Sequence, residues 1–219
     1  LPYSPALATP LSNFEVNLGG YQDVVDPAVT VRFEVDGMED TYFLDWTTKP
    51  WTLPSNLALA LGPEVDYVKV LDMEQGTDRY ILGEARLSHY FSDPAKYQIL
   101  ERYKGSQLAG MTYEPLFPFF SDLKSKGAFI TVLGDYVTVE DGCGIVHTAP
   151  GFGEDDYQVL KGTGIPVVCP IDDDCRFTAE VSLWQGVFVK DADKQIIAWL
   201  KDNGKLVKQI GRASGRERG

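Results

Sequence analysis

Alternating hydrophobic and polar positions run through most of the chain and predict a mainly β structure. The first clear run is Val29–Val35, which is rich in β-branched residues, and a polar break at Asp36-Gly37 separates it from a second run, Thr41–Thr47. Two such runs joined by a short polar turn are typical of a β-hairpin. The same pattern predicts six further strands: Val65–Leu71, Arg79–Leu82, Tyr97–Tyr103, Ala128–Leu133, Tyr136–Val139 and Ile145–Thr148.

Helical patterns are fewer. The clearest is Asp191–Asn203, where apolar residues recur on one face, Asp191 is placed to cap the start, and Gly204 follows the end. Shorter helices are predicted at Gly83–Phe91 and Asp155–Lys161. Many short strands with a few peripheral α-helices predict a mainly β, barrel-like domain and disfavour a doubly wound sheet.

Charge and hydropathy narrow the class of protein. The 219 residues carry 32 acidic and 20 basic side chains, a formal net charge of -12. A free-standing nucleic-acid-binding protein normally has the opposite sign, so any contact with nucleic acid needs another source of affinity. The longest apolar stretches, such as Leu57–Leu61, are too short to cross a bilayer, so no membrane partner is expected.

The ends of the chain and its cysteines indicate its setting. It opens at Leu1 without a charged and then apolar leader, and the last nine residues, 211–219, carry three arginines and no apolar periodicity. We therefore expect a soluble fragment in which residues 1–210 form the domain and residues 211–219 are a vector-derived tail. Three cysteines without a CxxC pair favour free thiols in a reducing cytosol over a chance disulfide.

One segment with candidate chemistry is Trp46–Asn56, WTTKPWTLPSN, which follows a predicted strand. Pro50 and Pro54 fix the backbone and remove amide donors, so we expect a rigid irregular loop. Such a loop would present hydrogen-bonding side chains from Thr47, Thr48, Thr52 and Asn56. The simpler interpretation is a proline-stiffened turn with surface threonines.

A second such segment is Gly142–Tyr157, GCGIVHTAPGFGEDDY. His147 ends a short apolar strand, the glycines of the segment allow close approach to a ligand, and Asp155 and Asp156 begin a helix. Capping of that helix is the simplest role for one aspartate. The sharper hypothesis is that His147 and Asp156 face one pocket across the glycine loop.

Further kinds of chemistry have weaker support from these residues. A nucleophilic pair of Cys143 and His147 needs an exposed, activated thiol, and the flanking glycines favour a turn. The run Asp172–Asp174 lacks the spacing of a calcium loop and predicts a solvated turn. Two histidines without CxxC disfavour zinc, and no phosphate-binding glycine motif occurs, so no metal or cofactor is expected.

Taken together, the motifs resemble the editing domain inserted in class I isoleucyl-tRNA synthetases, within the isoleucyl, valyl and leucyl editing-domain family. The resemblance runs from Leu1 to about Ile210. Its markers are PYSPALATPLSNFE, WTTKPWTLPSN, YEPLFPF, GIVHTAPGFGEDDY and PVVCPIDDDCRFT. The adenylation signatures HIGH and KMSKS are absent, so the resemblance implies the editing insertion without the synthetic site that uses ATP and Mg²⁺.

The resemblance implies a cytoplasmic hydrolase that clears Val-tRNA(Ile), and valyl-adenylate as a second substrate, while excluding isoleucine. The partners implied are the valylated 3′ end of tRNA(Ile) and the remaining domains of the synthetase, which would grip the tRNA body. Asp156 is implied to hold the substrate's α-ammonium group, His147 to limit side-chain size and Thr48 to orient water, as the catalytic set. The further substrate-binding residues implied are Trp46, Thr47, Lys49, Thr52 and Asn56.

Two departures from the family pattern leave more than one function open. Lys49 stands where the isoleucyl type usually has a third threonine, and Cys175 stands where glycine is usual. A basic residue there resembles the TTRP peptide of valyl and leucyl enzymes, which leaves open a valyl-type pocket that removes threonine, although the PWTLP that follows fits the isoleucyl type. We expect Lys49 at the pocket rim near the terminal phosphate, or else solvated on the loop. Two non-hydrolytic functions also stay open, a docking insert for the tRNA 3′ end and a self-standing acidic domain that binds a protein partner.

Overall fold

The fold is built on two β-sheets that meet along one strand of each. A computed structural model describes residues 27–74 and 76–207. The larger sheet has the strand order β1-β2-β5-β4-β6. Its strands are β1 (Val29–Glu34), β2 (Thr41–Thr47), β4 (Asp66–Asp72), β5 (Arg79–Gly83) and β6 (Tyr97–Lys104). The predicted hairpin is confirmed, because β1 and β2 pair antiparallel with Phe33 opposite Phe43.

The smaller sheet has three strands in the order β7-β3-β8. Strand β3 (Ala58–Leu61) lies between β7 (Ile130–Leu133), which is parallel to it, and β8 (Ile145–Thr148), which is antiparallel. All four side chains of β3 are fully buried. A strand covered on both faces has no alternating polar positions, so its sequence, ALAL, carries no strand signal.

Helices are few and short apart from one. The α-helices are α1 (Leu87–Tyr90), α2 (Glu154–Leu160) and α3 (Val189–Asp202). Short 3₁₀ helices lie at Pro50–Ser55, Glu84–Arg86, Pro94–Lys96, Gly105–Leu108, Ser121–Lys126 and Ser182–Trp184. The mainly β class is thereby confirmed, although over the described residues the two sheets do not close into a barrel.

Four sequence predictions need correction. Tyr136–Val139 is a turn and irregular chain instead of a strand, and the Val137 amide donates to the Gly134 carbonyl at 3.2 Å. The single helix expected at Gly83–Phe91 is not formed. Gly83 still pairs in β5, and the residues after it form the 3₁₀ helix Glu84–Arg86 and then α1. Strand β7 starts only at Ile130, since Phe129 has a left-handed φ of 64°. Helix α3 begins at Val189, which puts Asp191 inside its first turn and not at the cap.

Helix α3 holds the threonine-rich segment in place. Its inner residues Ala192, Ile196 and Leu200 are fully buried in the main hydrophobic core. Each buried side chain the size of leucine contributes about 1.5–3 kcal/mol to folding. On the same helix, the buried Asp193 carboxylate accepts a hydrogen bond of 3.0 Å from the Trp51 backbone N–H. The 3₁₀ helix Pro50–Ser55 is therefore fixed to a long helix.

Two sequence features lie outside the described residues. These are the marker PYSPALATPLSNFE near the start and the tail, residues 211–219. Within the described part of the chain, no helix is both long and apolar enough to span a bilayer.

Candidate functional site

His147 is the centre of a hydrogen-bond network that fixes its tautomer. Its Nδ1 lies 2.8 Å from Asn56 Nδ2, and its Nε2 lies 3.0 Å from Thr52 Oγ1. Asn56 Nδ2 also donates to the Ala58 carbonyl at 2.9 Å, so its second proton points to Nδ1. Thr52 Oγ1 gives its own proton to the Lys49 carbonyl at 2.8 Å, so Nε2 carries the imidazole proton.

The network holds His147 as a neutral ring. Burial lowers the pKa of His147 to about 4, so the imidazole is uncharged at neutral pH. Both ring nitrogens are already engaged, one as acceptor and one as donor. The ring is therefore suited to acting as a fixed wall and is poorly placed to act as a general base.

Tyr113 is a member of this network that the sequence analysis missed. Its hydroxyl donates to Asn56 Oδ1 at 2.5 Å, and the whole side chain is buried. Burial also raises the pKa of Tyr113 well above its ordinary value, so the phenol stays protonated. The segment YEPLFPF was recognised only as a family marker. The available signal was a tyrosine among apolar residues, because a buried phenol needs a polar partner.

Asp156 lies in the first turn of α2 but does not cap the helix. The helix follows Gly153, which has no side chain, and Asp156 Oδ2 accepts a hydrogen bond of 2.9 Å from the Ala149 backbone N–H. The carboxylate thus folds back across the glycine loop toward β8. Burial raises the pKa of Asp156 to about 6, and the nearby charge of Asp155 adds to that rise.

A cavity of about 270 Å³ opens where the end of β2 meets β8. Its wall includes Trp46, Thr47, Tyr136 and His147, together with the Gly-Cys-Gly segment at residues 142–144. Its volume lies just below the usual range for small-ligand sites, about 300–1,000 Å³, and suits one small group. Asp156 is not among the residues that line the cavity; burial raises the pKa of the lining residue Tyr136, and the charge of Asp156 adds to that rise.

The remaining predicted site residues occupy different places. Thr52 and Asn56 are buried and hold His147 from behind instead of being presented on a loop, since Pro50–Ser55 is a 3₁₀ helix and not irregular. Thr48 is half-buried next to the cavity residue Thr47. Lys49 is exposed, and its backbone N–H donates to Thr47 Oγ1 at 3.0 Å.

Asp45 is a cavity residue that the sequence analysis did not single out. It precedes Trp46 on β2, is 2% exposed and lines the cavity. Burial raises its pKa well above the ordinary value despite the nearby backbone N–H groups of His147 and Trp46. The signal in the sequence was an acid within an otherwise apolar strand directly before the threonine-rich segment.

The surroundings of Cys143 and of the run Asp172–Asp174 bear on two of the alternatives that the sequence disfavoured. Cys143 is buried, and burial raises the pKa of its thiol, which leaves it un-ionised and inert as a nucleophile. Asp172–Asp174 is exposed, and Asp172 accepts N–H bonds from Asp174 and Arg176, as expected of a solvated turn. Over residues 27–74 and 76–207, no group of three acidic, histidine or cysteine side chains is placed to hold a metal ion.

The sequence is similar to bacterial isoleucine–tRNA ligases. The chain is similar to the isoleucine–tRNA ligase of Treponema denticola, at 49% identity over 95% of the chain. It is similar to that of Bdellovibrio bacteriovorus, at 50% identity over 95% of the chain. The chain spans 22% and 20% of these relatives, respectively. No family model matches.

Solved structures with the same fold include the editing domains of two cytosolic leucyl-tRNA synthetases. The domain from P. knowlesi superposes with a TM-score of 0.63 at 12% identity, covering 82% of this chain and 95% of that one. The domain from P. falciparum superposes with a TM-score of 0.62 at 11% identity, covering 82% of this chain and 98% of that one.

Proposed function

Because the chain belongs to the isoleucine–tRNA ligase family and has the fold of synthetase editing domains, we propose that it hydrolyses Val-tRNA(Ile). Valyl-adenylate is a second substrate of the same site. The observation that carries the proposal is the cavity of about 270 Å³ with a locked His147 on its wall, together with the Asp156 carboxylate that folds back across the glycine loop to Ala149. Residues 1–210 form the editing domain in this proposal.

The reaction is the hydrolysis of a carboxylic ester. Water attacks the carbonyl carbon, the bond to the ribose oxygen breaks, and that oxygen takes a proton, which releases valine and intact tRNA. Asp156 holds the α-ammonium group through a charge-assisted hydrogen bond and so fixes the position of the carbonyl. This role requires the ionised form, which prevails above a pH of about 6 because the pKa of Asp156 is raised to that value.

His147 supplies the selectivity in this proposal. One methylene is worth only about 1–3 kcal/mol of binding discrimination, for which isoleucine against valine is the standard example, so a second site must reject isoleucine by size. A ring held by Asn56 on one side and Thr52 on the other cannot swing away from the larger side chain.

Groups other than His147 orient the attacking water in this proposal. Its Nδ1 lone pair is occupied by Asn56, and a pKa of about 4 makes it a weak base. We assign the orientation to Thr48, to backbone groups of the glycine loop and to the ribose hydroxyl of the substrate. Trp46 and Thr47 complete the wall that meets the terminal adenosine.

The acidic balance of the chain fits a division of labour. A net charge of -12 opposes binding of a polyanion, and the chain spans 22% of its Treponema relative. In this proposal the remaining domains of a cytoplasmic ligase bind ATP, Mg²⁺ and the body of tRNA(Ile), and deliver the single-stranded 3′ end. Single-stranded ends are bound through pockets more than through broad basic surfaces.

Deacylation by a full-length ligase that carries this chain tests the proposal. Val-tRNA(Ile), Thr-tRNA(Ile) and Ile-tRNA(Ile) are compared, with Asp156→Ala as the test variant and Asp155→Ala as the matched control. We expect hydrolysis of the valyl ester to be nearly abolished by Asp156→Ala and largely kept by Asp155→Ala, with isoleucine activation intact in both. Preference for the threonyl ester would indicate a valyl-type pocket. Tight 3′-end binding without any hydrolysis would indicate a docking insert.

A further inference from the structure

The buried carboxyl of Asp45 is only partly satisfied by the backbone N–H groups of His147 and Trp46 near it. The residue is 2% exposed, and its Oδ2 is buried without a hydrogen-bond partner among the described residues. A polar atom left unpaired in a protein interior costs about 1–3 kcal/mol, more if it is charged. An apolar residue facing Val31 across the β1–β2 pair would avoid that cost. We therefore expect a bound ligand group to satisfy this carboxyl.

The surroundings of Asp45 select for a cation. Asp45 and Asp141 both line the cavity, whereas its described lining includes neither lysine nor arginine. Burial raises the pKa of Asp45, and the negative charge of Asp156 adds to that rise. A positive group bound beside a buried carboxyl favours the ionised form of that carboxyl.

We propose that Asp45, which lines the cavity, is a second anchor for the substrate's α-ammonium group, in addition to the contact proposed for Asp156. This inference rests on the proposed function, because it assumes that an aminoacyl ester occupies the cavity. An ammonium group has three donors, and one carboxylate satisfies only part of them. A second acceptor at the Asp45 carboxyl fixes the rotation of the aminoacyl group as well as its position, and it selects substrates with a free α-amino group.

Binding of two matched ligands to the 219-residue chain tests the inference. The first is a valyl-adenosine in which an amide replaces the 3′ ester, and the second is its isovaleryl counterpart, which lacks only the α-amine. Affinities are measured by calorimetry for the parent, Asp45→Asn and Asp45→Ala, with thermal unfolding as a check on folding. Asp141→Asn is the matched control, since it removes a carboxylate from an exposed part of the same cavity.

We expect both Asp45 variants to weaken binding of the valyl ligand by about tenfold or more while leaving the isovaleryl ligand within about twofold. Asp141→Asn should change both affinities little and equally. Equal losses for both ligands in folded Asp45 variants, or no loss for either, would overturn the role of Asp45. In that case an amine-dependent loss in Asp156→Asn would leave the proposed function standing. A parent chain that fails to prefer the valyl ligand would overturn both.

Discussion

Asn56 and His147 are joined by a hydrogen bond of 2.8 Å from the amide Nδ2 to the imidazole Nδ1. The amide cannot turn over, because its nitrogen also donates to the Ala58 carbonyl and its oxygen accepts from the Tyr113 hydroxyl. A buried tyrosine behind the cavity wall thus decides which imidazole nitrogen carries the proton.

The first prediction concerns the stability of this network. Tyr113→Phe leaves Asn56 Oδ1 buried without a donor, which costs about 1–3 kcal/mol. We expect the free energy of unfolding in urea to fall by that amount. Tyr103→Phe is the matched control, since its hydroxyl bonds to the exposed Glu101, and a change within about 0.5 kcal/mol is expected there. Equal effects of the two changes would contradict the network's importance.

The second prediction concerns selectivity. His147→Ala enlarges the cavity, so a full-length ligase with this change should hydrolyse Ile-tRNA(Ile), which we expect the parent to leave intact. Thr52→Val keeps the ring but removes the acceptor for its Nε2 proton, and we expect a smaller gain of the same kind. Deacylation rates with purified charged tRNA measure both. If His147→Ala still spared the isoleucyl ester, the steric role would be wrong.

The third prediction is a pH dependence. Burial raises the pKa of Asp156 to about 6, so the carboxylate that binds the ammonium group is lost as pH falls through that value. The kcat/KM of deacylation should therefore fall about tenfold per pH unit below about 6. His147, whose pKa lies near 4, should not contribute to this limb. A flat profile from about pH 7 to about pH 5 would remove Asp156 from the binding step.

The raised pKa of Asp156 also makes stability depend on pH, in the direction opposite to the dependence expected for deacylation. A carboxyl whose folded pKa exceeds its unfolded pKa opposes folding at neutral pH, and that cost disappears as pH falls below the unfolded value of about 4. Asp156→Asn should raise the free energy of unfolding at about pH 8 by up to about 3 kcal/mol and leave it little changed at about pH 4. Urea unfolding at the two pH values checks this, and a gain that does not depend on pH would contradict it.

The fourth prediction concerns Cys175, which stands where the family usually has glycine. Its φ of 59° is left-handed, a conformation that costs a non-glycine residue about 1–2 kcal/mol. Part of the gain from glycine is offset by the greater freedom of the unfolded chain, so Cys175→Gly should stabilise by about 0.5–1 kcal/mol. Cys169→Gly, at a position without a positive φ, should destabilise the fold. Thermal unfolding distinguishes the two.

The fifth prediction concerns Lys49, which is exposed at the start of the 3₁₀ helix. If its ammonium group meets the phosphate of the terminal nucleotide, Lys49→Thr in the full-length ligase should weaken the salt dependence of KM. One phosphate contact in a single strand corresponds to a slope change of about 0.7 in log KM against log salt. An unchanged slope and editing rate would place the lysine in solvent.

Half-buried strands were predictable because one of their faces is solvated and their polar positions alternate. Strand β3 was not, since it is covered on both faces, and Tyr136–Val139 alternates without pairing because a turn at Gly134 diverts the chain. For the site, motif resemblance brought together His147, Asn56 and Thr52. It could not reveal Asp45, whose importance depends on a cavity formed by two strands distant in sequence.

The two walls of that cavity belong to different sheets, because β2 lies in the five-stranded sheet and β8 in the three-stranded one. The width of the cavity is consequently set by tertiary packing, through the angle between the two sheets. Phe43 of β2 and Leu57 next to β3 belong to one hydrophobic core, so we expect a change of side-chain volume at either residue to alter the width of the cavity without touching the substrate. Amino-acid selectivity in such a domain can thus drift through substitutions in the core, in lineages whose site residues stay the same.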